Sequence, residues 1–94
     1  MSKYELAVVL SSKLEDAQRN EELEKVKGYI TRFNGNLIGT VEEWGRKKLA
    51  YEINHEKEGF YYLIQFEGDN TTSNEITSYL RIMENVLRFL IVKQ

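Results

Sequence analysis

An α+β fold is what the sequence predicts, with its elements in the order strand, helix, strand, strand, helix, strand. Three observations carry that expectation: alternation of apolar and other residues over positions 4–10, apolar residues at helical spacing in two later segments, and two alternating runs flanking a polar turn. In the first strand Tyr4, Leu6, Val8 and Leu10 alternate with Glu5, Ala7 and Val9, so the even positions face a core. Ser11 and Ser12 are candidate N-caps for the next element, a helix, and Glu15 and Asp16 bring negative charge to its positive end. Leu23, Val26, Ile30 and Phe33 then recur on one helical face, and Asn34 with Gly35 closes the helix, because both residues take the left-handed conformation readily. Gly28 inside it costs about 1 kcal/mol against alanine, which points either to close packing or to simple tolerance.

Residues 37–53 are rich in β-branched and aromatic side chains and read as one long strand, with Gly45 marking a bulge beyond which the strand projects from the sheet. A polar loop over residues 54–58 leads to Gly59, and residues 60–67 form the returning strand of a hairpin, with Phe60, Tyr62, Ile64 and Phe66 on one side. A cap-rich linker over residues 69–74 precedes a helix marked by Ile76, Tyr79, Leu80 and Met83, which breaks near Asn85. In the last strand Leu87, Phe89 and Ile91 face one way and Arg88, Leu90 and Val92 the other. The order matches the ferredoxin-like plan, βαββαβ, with two helices on one face of a four-stranded antiparallel sheet. Its other face would carry Ala7, Val9, Leu90 and Val92, too apolar a surface to be merely wet.

A chain of 94 residues makes one domain, residues 1–94, and 13 basic against 15 acidic side chains leave a net charge of −2. With no cysteine, disulfides, thiolate metal sites and cysteine nucleophiles are excluded. The longest apolar runs, residues 6–10 and 60–64, fall far short of the roughly 20 residues that span a bilayer, so no membrane partner is expected. The N-terminus enters the first strand without an apolar leader, which points to the cytosol. His55, the one near-neutral acid–base group, falls in the hairpin loop and reads as a solvated residue. The glycines show no phosphate-cradling spacing, and carboxylate pairs such as Glu21 with Glu22 or Glu42 with Glu43 fall on solvated faces. Neither catalysis, a metal, a cofactor nor a small-molecule substrate is expected.

Nucleic-acid binding is better supported. Arg46, Lys47 and Lys48 lie together on the projecting strand between Trp44 and Tyr51, a pattern suited to phosphates with aromatic stacking and equally to a charged edge that blocks strand pairing. The run from Glu58 to Leu63 has the outline of an RNA-recognition strand. However, Glu58 stands where a cation belongs and Phe66 falls out of phase, so Phe60, Tyr62, Ile64 and Phe66 read as core. Lys3, Arg81, Arg88 and Lys93 extend the cationic set, and Lys3, Arg88 and Lys93 converge if the last strand lies beside the first. The first helix, with Glu15, Asp16, Glu21, Glu22 and Glu24 among Arg19, Lys25 and Lys27, reads as a solvated face.

These residues resemble the bacterial small-subunit ribosomal protein six family. The likeness runs from Lys3, Tyr4 and Glu5 through the block from Trp44 to Ile53 and the Gly59, Phe60, Tyr61 step to the block from Leu80 to Arg88. The resemblance implies a structural role, not an enzyme: binding the central domain of small-subunit ribosomal RNA as a heterodimer with ribosomal protein eighteen, in the cytoplasm and on the ribosome. It makes Lys3, Arg46, Lys47, Lys48, Arg81 and Arg88 candidate RNA contacts and Trp44 and Tyr51 candidate partner contacts. The sequence ends at Lys93 and Gln94, so no role for a modified glutamate tail is expected. The competing reading is a ferredoxin-like ligand-binding or regulatory domain that dimerises through its open sheet face.

Overall fold

The computed structural model describes residues 2–94, apart from the Thr40 side chain. Its elements are β1 (Ser2–Ser11), α1 (Asp16–Arg32), β2 (Asn36–Ile53), β3 (Glu56–Gly68), α2 (Asn70–Arg81) and β4 (Val86–Lys93). The sheet order is β2-β3-β1-β4, and each neighbouring pair is antiparallel. The ferredoxin-like arrangement is therefore the one expected. Period-two patterning decides which face the helices cover: Tyr4, Leu6, Val8 and Leu10 of β1 and Tyr62, Ile64 and Phe66 of β3 are buried against Leu23, Val26 and Ile30 of α1 and Ile76 and Leu80 of α2. Each fully buried aliphatic side chain contributes roughly 1.5–3 kcal/mol, so this one layer supplies most of the drive to fold. Tyr4 and Phe66 stack across the β1–β3 pair with ring centroids 5.3 Å apart. The RNA-recognition-like aromatics of β3 are thus core residues.

Helix ends depart from expectation in one respect. Ser11 and Ser12 do not cap α1; Glu15 does, its amide donating to Gln18 Oε1 at 2.9 Å in a reciprocal box, because both serines are engaged elsewhere. The closing signal holds, with Asn34 at φ 67° and the Gly35 amide donating to the Ile30 carbonyl at 2.8 Å. A side chain at Gly35 would stand 2.7 Å from that carbonyl. The segment read as a linker is already helix: Asp69 accepts from the Thr72 amide at 2.9 Å, and α2 starts at once and ends at Arg81 rather than near Asn85. The Thr72 hydroxyl donates to the Phe33 carbonyl at 2.7 Å, tying the start of α2 to the end of α1.

The long strand β2 is broken in register three times, after Ile38, after Glu43 and after Lys48. Gly45, at φ 78°, sits at the expected bulge, and Gly39, at φ 65°, marks another that the sequence pattern did not single out. The hairpin loop is not five residues long. Ile53 pairs with Glu56, so only Asn54 and His55 turn the chain, at φ 50° and 65°, the left-handed pair that a tight hairpin demands. A further bulge between Val9 and Leu10 rephases β4. Val86, Phe89 and Ile91 pack on the core, whereas Leu87 lies with Val9 on the open face beside Gly59, which corrects its expected placement.

Two glycines separate tolerance from necessity. A methyl group at Gly28 would meet nothing within 4 Å, so Gly28→Ala is expected to raise stability to urea by about 0.5–1 kcal/mol through helix propensity. A methyl group at Gly59 would stand 2.5 Å from Val9 Cγ1, so Gly59→Ala is expected to cost about 1–3 kcal/mol in the same measurement.

Candidate nucleic-acid interface

Alternation along β2 splits the basic triplet. Arg46 pairs with Phe60, a helix-side residue, whereas Lys47 pairs with Gly59 and so points to the open face. Lys48 pairs with Glu58 and rejoins the side of Arg46. The Arg46 guanidinium is already engaged: its Cζ lies 5.1 Å from the Phe60 ring centre, its Nε is 3.8 Å from Glu58 Oε2, and its Nη2 reaches the Ser12 carbonyl at 3.5 Å. Arg19 covers the same Phe60 ring at 3.8 Å and donates to the Tyr62 hydroxyl at 3.2 Å, so the two arginines seal the edge of the core. Lys48 instead lines a concavity of about 760 Å³ under the hairpin, together with Ser12, Lys13, Glu52, His55, Glu56 and Lys57.

The hairpin is held over that concavity by a buried carboxylate. Glu56, expected in a solvated loop, is 7% exposed. Its Oε1 accepts from the Ser11 hydroxyl at 2.9 Å, the Ser12 amide at 2.8 Å and the Ser12 hydroxyl at 2.8 Å, and its Oε2 lies 2.9 Å from the Ser11 hydroxyl. Burial alone would raise the Glu56 pKa. The hydrogen bonds from Ser12 and Ser11, with the charge of Lys13 nearby, outweigh it and hold the carboxyl below its ordinary value. The Ser11 hydroxyl also accepts from the Lys13 amide at 3.2 Å, which fixes the backbone of the chain where Lys13 leaves it.

The remaining cations do not form one patch. Arg88 pairs with Val9 and Lys3 with Glu67, six residues apart along β1, or about 20 Å at ~3.4 Å per residue. Lys93 pairs with Tyr4 and so belongs to the helix side, and Arg81 ends α2 in the helix layer. The expected convergence of Lys3, Arg88 and Lys93 is therefore corrected: β4 does lie beside β1, but register and alternation disperse the charges. Arg88 instead edges an apolar surface formed by Ala7, Val9, Tyr61 and Leu90. Trp44 and Tyr51 are 53% and 62% exposed on β2, and Trp44 Nε1 donates to Glu42 at 3.2 Å. Lys13 and Lys57 are each a lone lysine in sequence, and only the hairpin brings them beside Lys48.

Comparison with known proteins bears on this geometry. The family model described as ribosomal protein S6 matches residues 3–93. The chain belongs to the ribosomal protein S6 family. It is 42% identical to the small ribosomal subunit protein bS6 of Fusobacterium nucleatum over 100% of this chain and 99% of that protein. It is 39% identical to the bS6 protein of Alkaliphilus metalliredigens over 99% of this chain and 97% of that one. The crystal structure of 30S ribosomal protein S6 from Thermotoga maritima superposes with a TM-score of 0.91 at 26% identity, covering 99% of this chain and 87% of that one. The S6 family is a structural one and not a family of enzymes, as the resemblance implied.

The Glu56 clamp sets an acid limit on this S6 fold. Because the folded carboxyl has the lower pKa, its contribution is fully present above the unfolded value of about 4.3 and is lost as pH falls through the folded value. Glu56→Gln is expected to cost about 1–3 kcal/mol at pH 7, by loss of charge-assisted hydrogen bonds, and to flatten the fall of stability below about pH 4.5. Urea unfolding across a pH series checks both.

Proposed function

We propose that this chain is a structural constituent of the small ribosomal subunit that binds the central domain of small-subunit ribosomal RNA together with ribosomal protein eighteen. The family match over residues 3–93 supports the ribosomal role, and membership of this bacterial family makes the chain a cytoplasmic, ribosome-associated protein. The observation that carries the finer reading is the sorting of the surface. Cations gather at the hairpin, while the open sheet face presents Leu90 and Val92, 57% and 46% exposed, around the buried Val9. Phosphates suit the first surface and a protein partner the second.

In this division of labour the β2 edge with Trp44 and Tyr51 and the adjoining sheet face take the protein partner. Of the cations considered for RNA, Lys48 stands at the hairpin and Arg46 beside it also serves the fold through Phe60 and Glu58, whereas Lys3, Lys47 and Arg88 lie on the open face and Arg81 in the helix layer, so these four would reach RNA only around the rim of the partner surface. A protein of net charge −2 has feeble general attraction for RNA, so a partner that adds its own cations is part of the reading.

Titration on a central-domain rRNA fragment is the test. The chain alone is expected to bind no tighter than ~1 µM at 0.1 M salt, and addition of ribosomal protein eighteen is expected to tighten it at least 10-fold with a steep salt dependence. Nanomolar binding by the chain alone would overturn the shared-surface model. A stable homodimer in sedimentation that the partner does not dissociate would favour the dimeric regulatory-domain reading instead.

A further inference from the structure

We infer that the concavity beneath the β2–β3 hairpin is a phosphate site, in which Lys13, Lys48 and Lys57 receive one phosphodiester of the bound RNA. The source of that phosphate rests on the rRNA reading above; the site itself rests on geometry. The three lysines come from the β1–α1 connection, β2 and β3, and line one concavity together with Ser12, Glu52, His55, Glu56 and Glu58.

Two of the three carboxylates of that lining, Glu56 and Glu58, are engaged. Glu58 lies 3.8 Å from Arg46, Glu52 lies 3.8 Å from His55, and both oxygens of Glu56 are occupied by Ser11 and Ser12. Among the described residues Lys13, Lys48 and Lys57 stand within 4.0 Å of no carboxylate. Lys13 helps to hold Glu56 ionised through space, and its amide is fixed on Ser11, so its stem leaves from a rigid point. The lining holds three lysines and three carboxylates, and Arg46, which pairs with Glu58 from outside it, tips the balance to positive.

An ammonium is a compact, mobile point charge, and several on flexible stems converge on a phosphate without needing the planar geometry that arginine imposes. The concave form comes from two backbone features: the register break after Lys48, which curls the end of β2, and the two-residue turn at Asn54 and His55, which returns β3 over it. The result is a site assembled from single lysines scattered in sequence, distinct from the contiguous triplet: it takes Lys48 from that triplet and leaves Arg46 to the fold and Lys47 to the other face.

Two measurements on the full chain test this. In the first, sodium tripolyphosphate is titrated while backbone amide resonances are followed. Saturable shifts centred on Ser12, Lys13, Lys48 and Lys57 are expected, lost in the combined Lys13→Gln, Lys48→Gln, Lys57→Gln variant and restored when the three are arginine. Shifts spread over all lysines, or persisting in the glutamine variant, would overturn the site. In the second, the same variant with ribosomal protein eighteen is titrated on the rRNA fragment at several salt concentrations. Its log K against log salt slope is expected to fall by about one and its affinity by roughly 10-fold, with Lys25→Gln, Lys27→Gln as an unchanged control. An unchanged slope would remove RNA as the source of the phosphate. If the unaltered complex does not bind the fragment, the rRNA reading fails, and the tripolyphosphate arm still decides the site.

Discussion

The Glu56 carboxylate is the constraint on which the hairpin half of the molecule depends. A buried carboxylate is costly unless its lone pairs are filled, and here the Ser11 and Ser12 hydroxyls and the Ser12 amide fill them. The same bonds join the end of β1 to the start of β3, two points 45 residues apart in sequence. Without them the hairpin would be a two-stranded ribbon projecting past its sheet, a structure of marginal stability in water. With them, the ribbon has a fixed root and the cations on it a fixed direction.

The other half of the fold depends on a sheet with one committed face. Alternation in β1 and β3 puts Leu6, Val8, Ile64 and Phe66 against both helices, and the opposite face keeps only the small packing of Val9 over Gly59 beside Leu87. Its apolar character is therefore informative. Val9 is buried at 4% without a helix above it: its Cγ1 packs over Gly59, 2.5 Å from where a methyl group would stand, and Leu87, which the β4 bulge turns outward, reaches the same spot. Leu90 and Val92 extend the same surface into solvent, where a protein partner would relieve their exposure.

How each signal is encoded decides which features were legible in the sequence. Period two in residues 4–10 and 60–66 and helical spacing at Leu23, Val26 and Ile30 are local patterns, and local patterns specified the element order, the core and the helix stop at Asn34 and Gly35. The candidate site was legible as a set of cations and illegible as an arrangement. Adjacent strand residues point to opposite faces, so Arg46, Lys47 and Lys48 could not act as a contiguous patch, and the bulges at Gly39, Gly45 and beyond Lys48 re-aim the side chains after them by amounts no propensity encodes. Glu56 was misplaced for a related reason. A glutamate beside a histidine in a polar run reads as loop, because the serines that make its burial tolerable lie far away in sequence.

Charge obeys the same logic of distance. The net value of −2 is a property of the whole chain, whereas a ligand a few ångströms away feels the nearest charges, with screening over about 10 Å at 0.1 M salt. Four of the 15 acids are spent internally: Asp16 on Arg19, Glu22 on Lys25, Glu24 on Lys27 and Glu58 on Arg46. Those pairs stabilise little at the surface, but they make the α1 face close to neutral as seen from outside. At the hairpin the balance differs, since neutral serines satisfy Glu56 and the lysines beside it stay free of direct ion pairs. Satisfying a buried carboxylate with hydroxyls and an amide, with Lys13 acting only through space, thus leaves the lysine side chains around it without a direct ion pair on a slightly acidic protein.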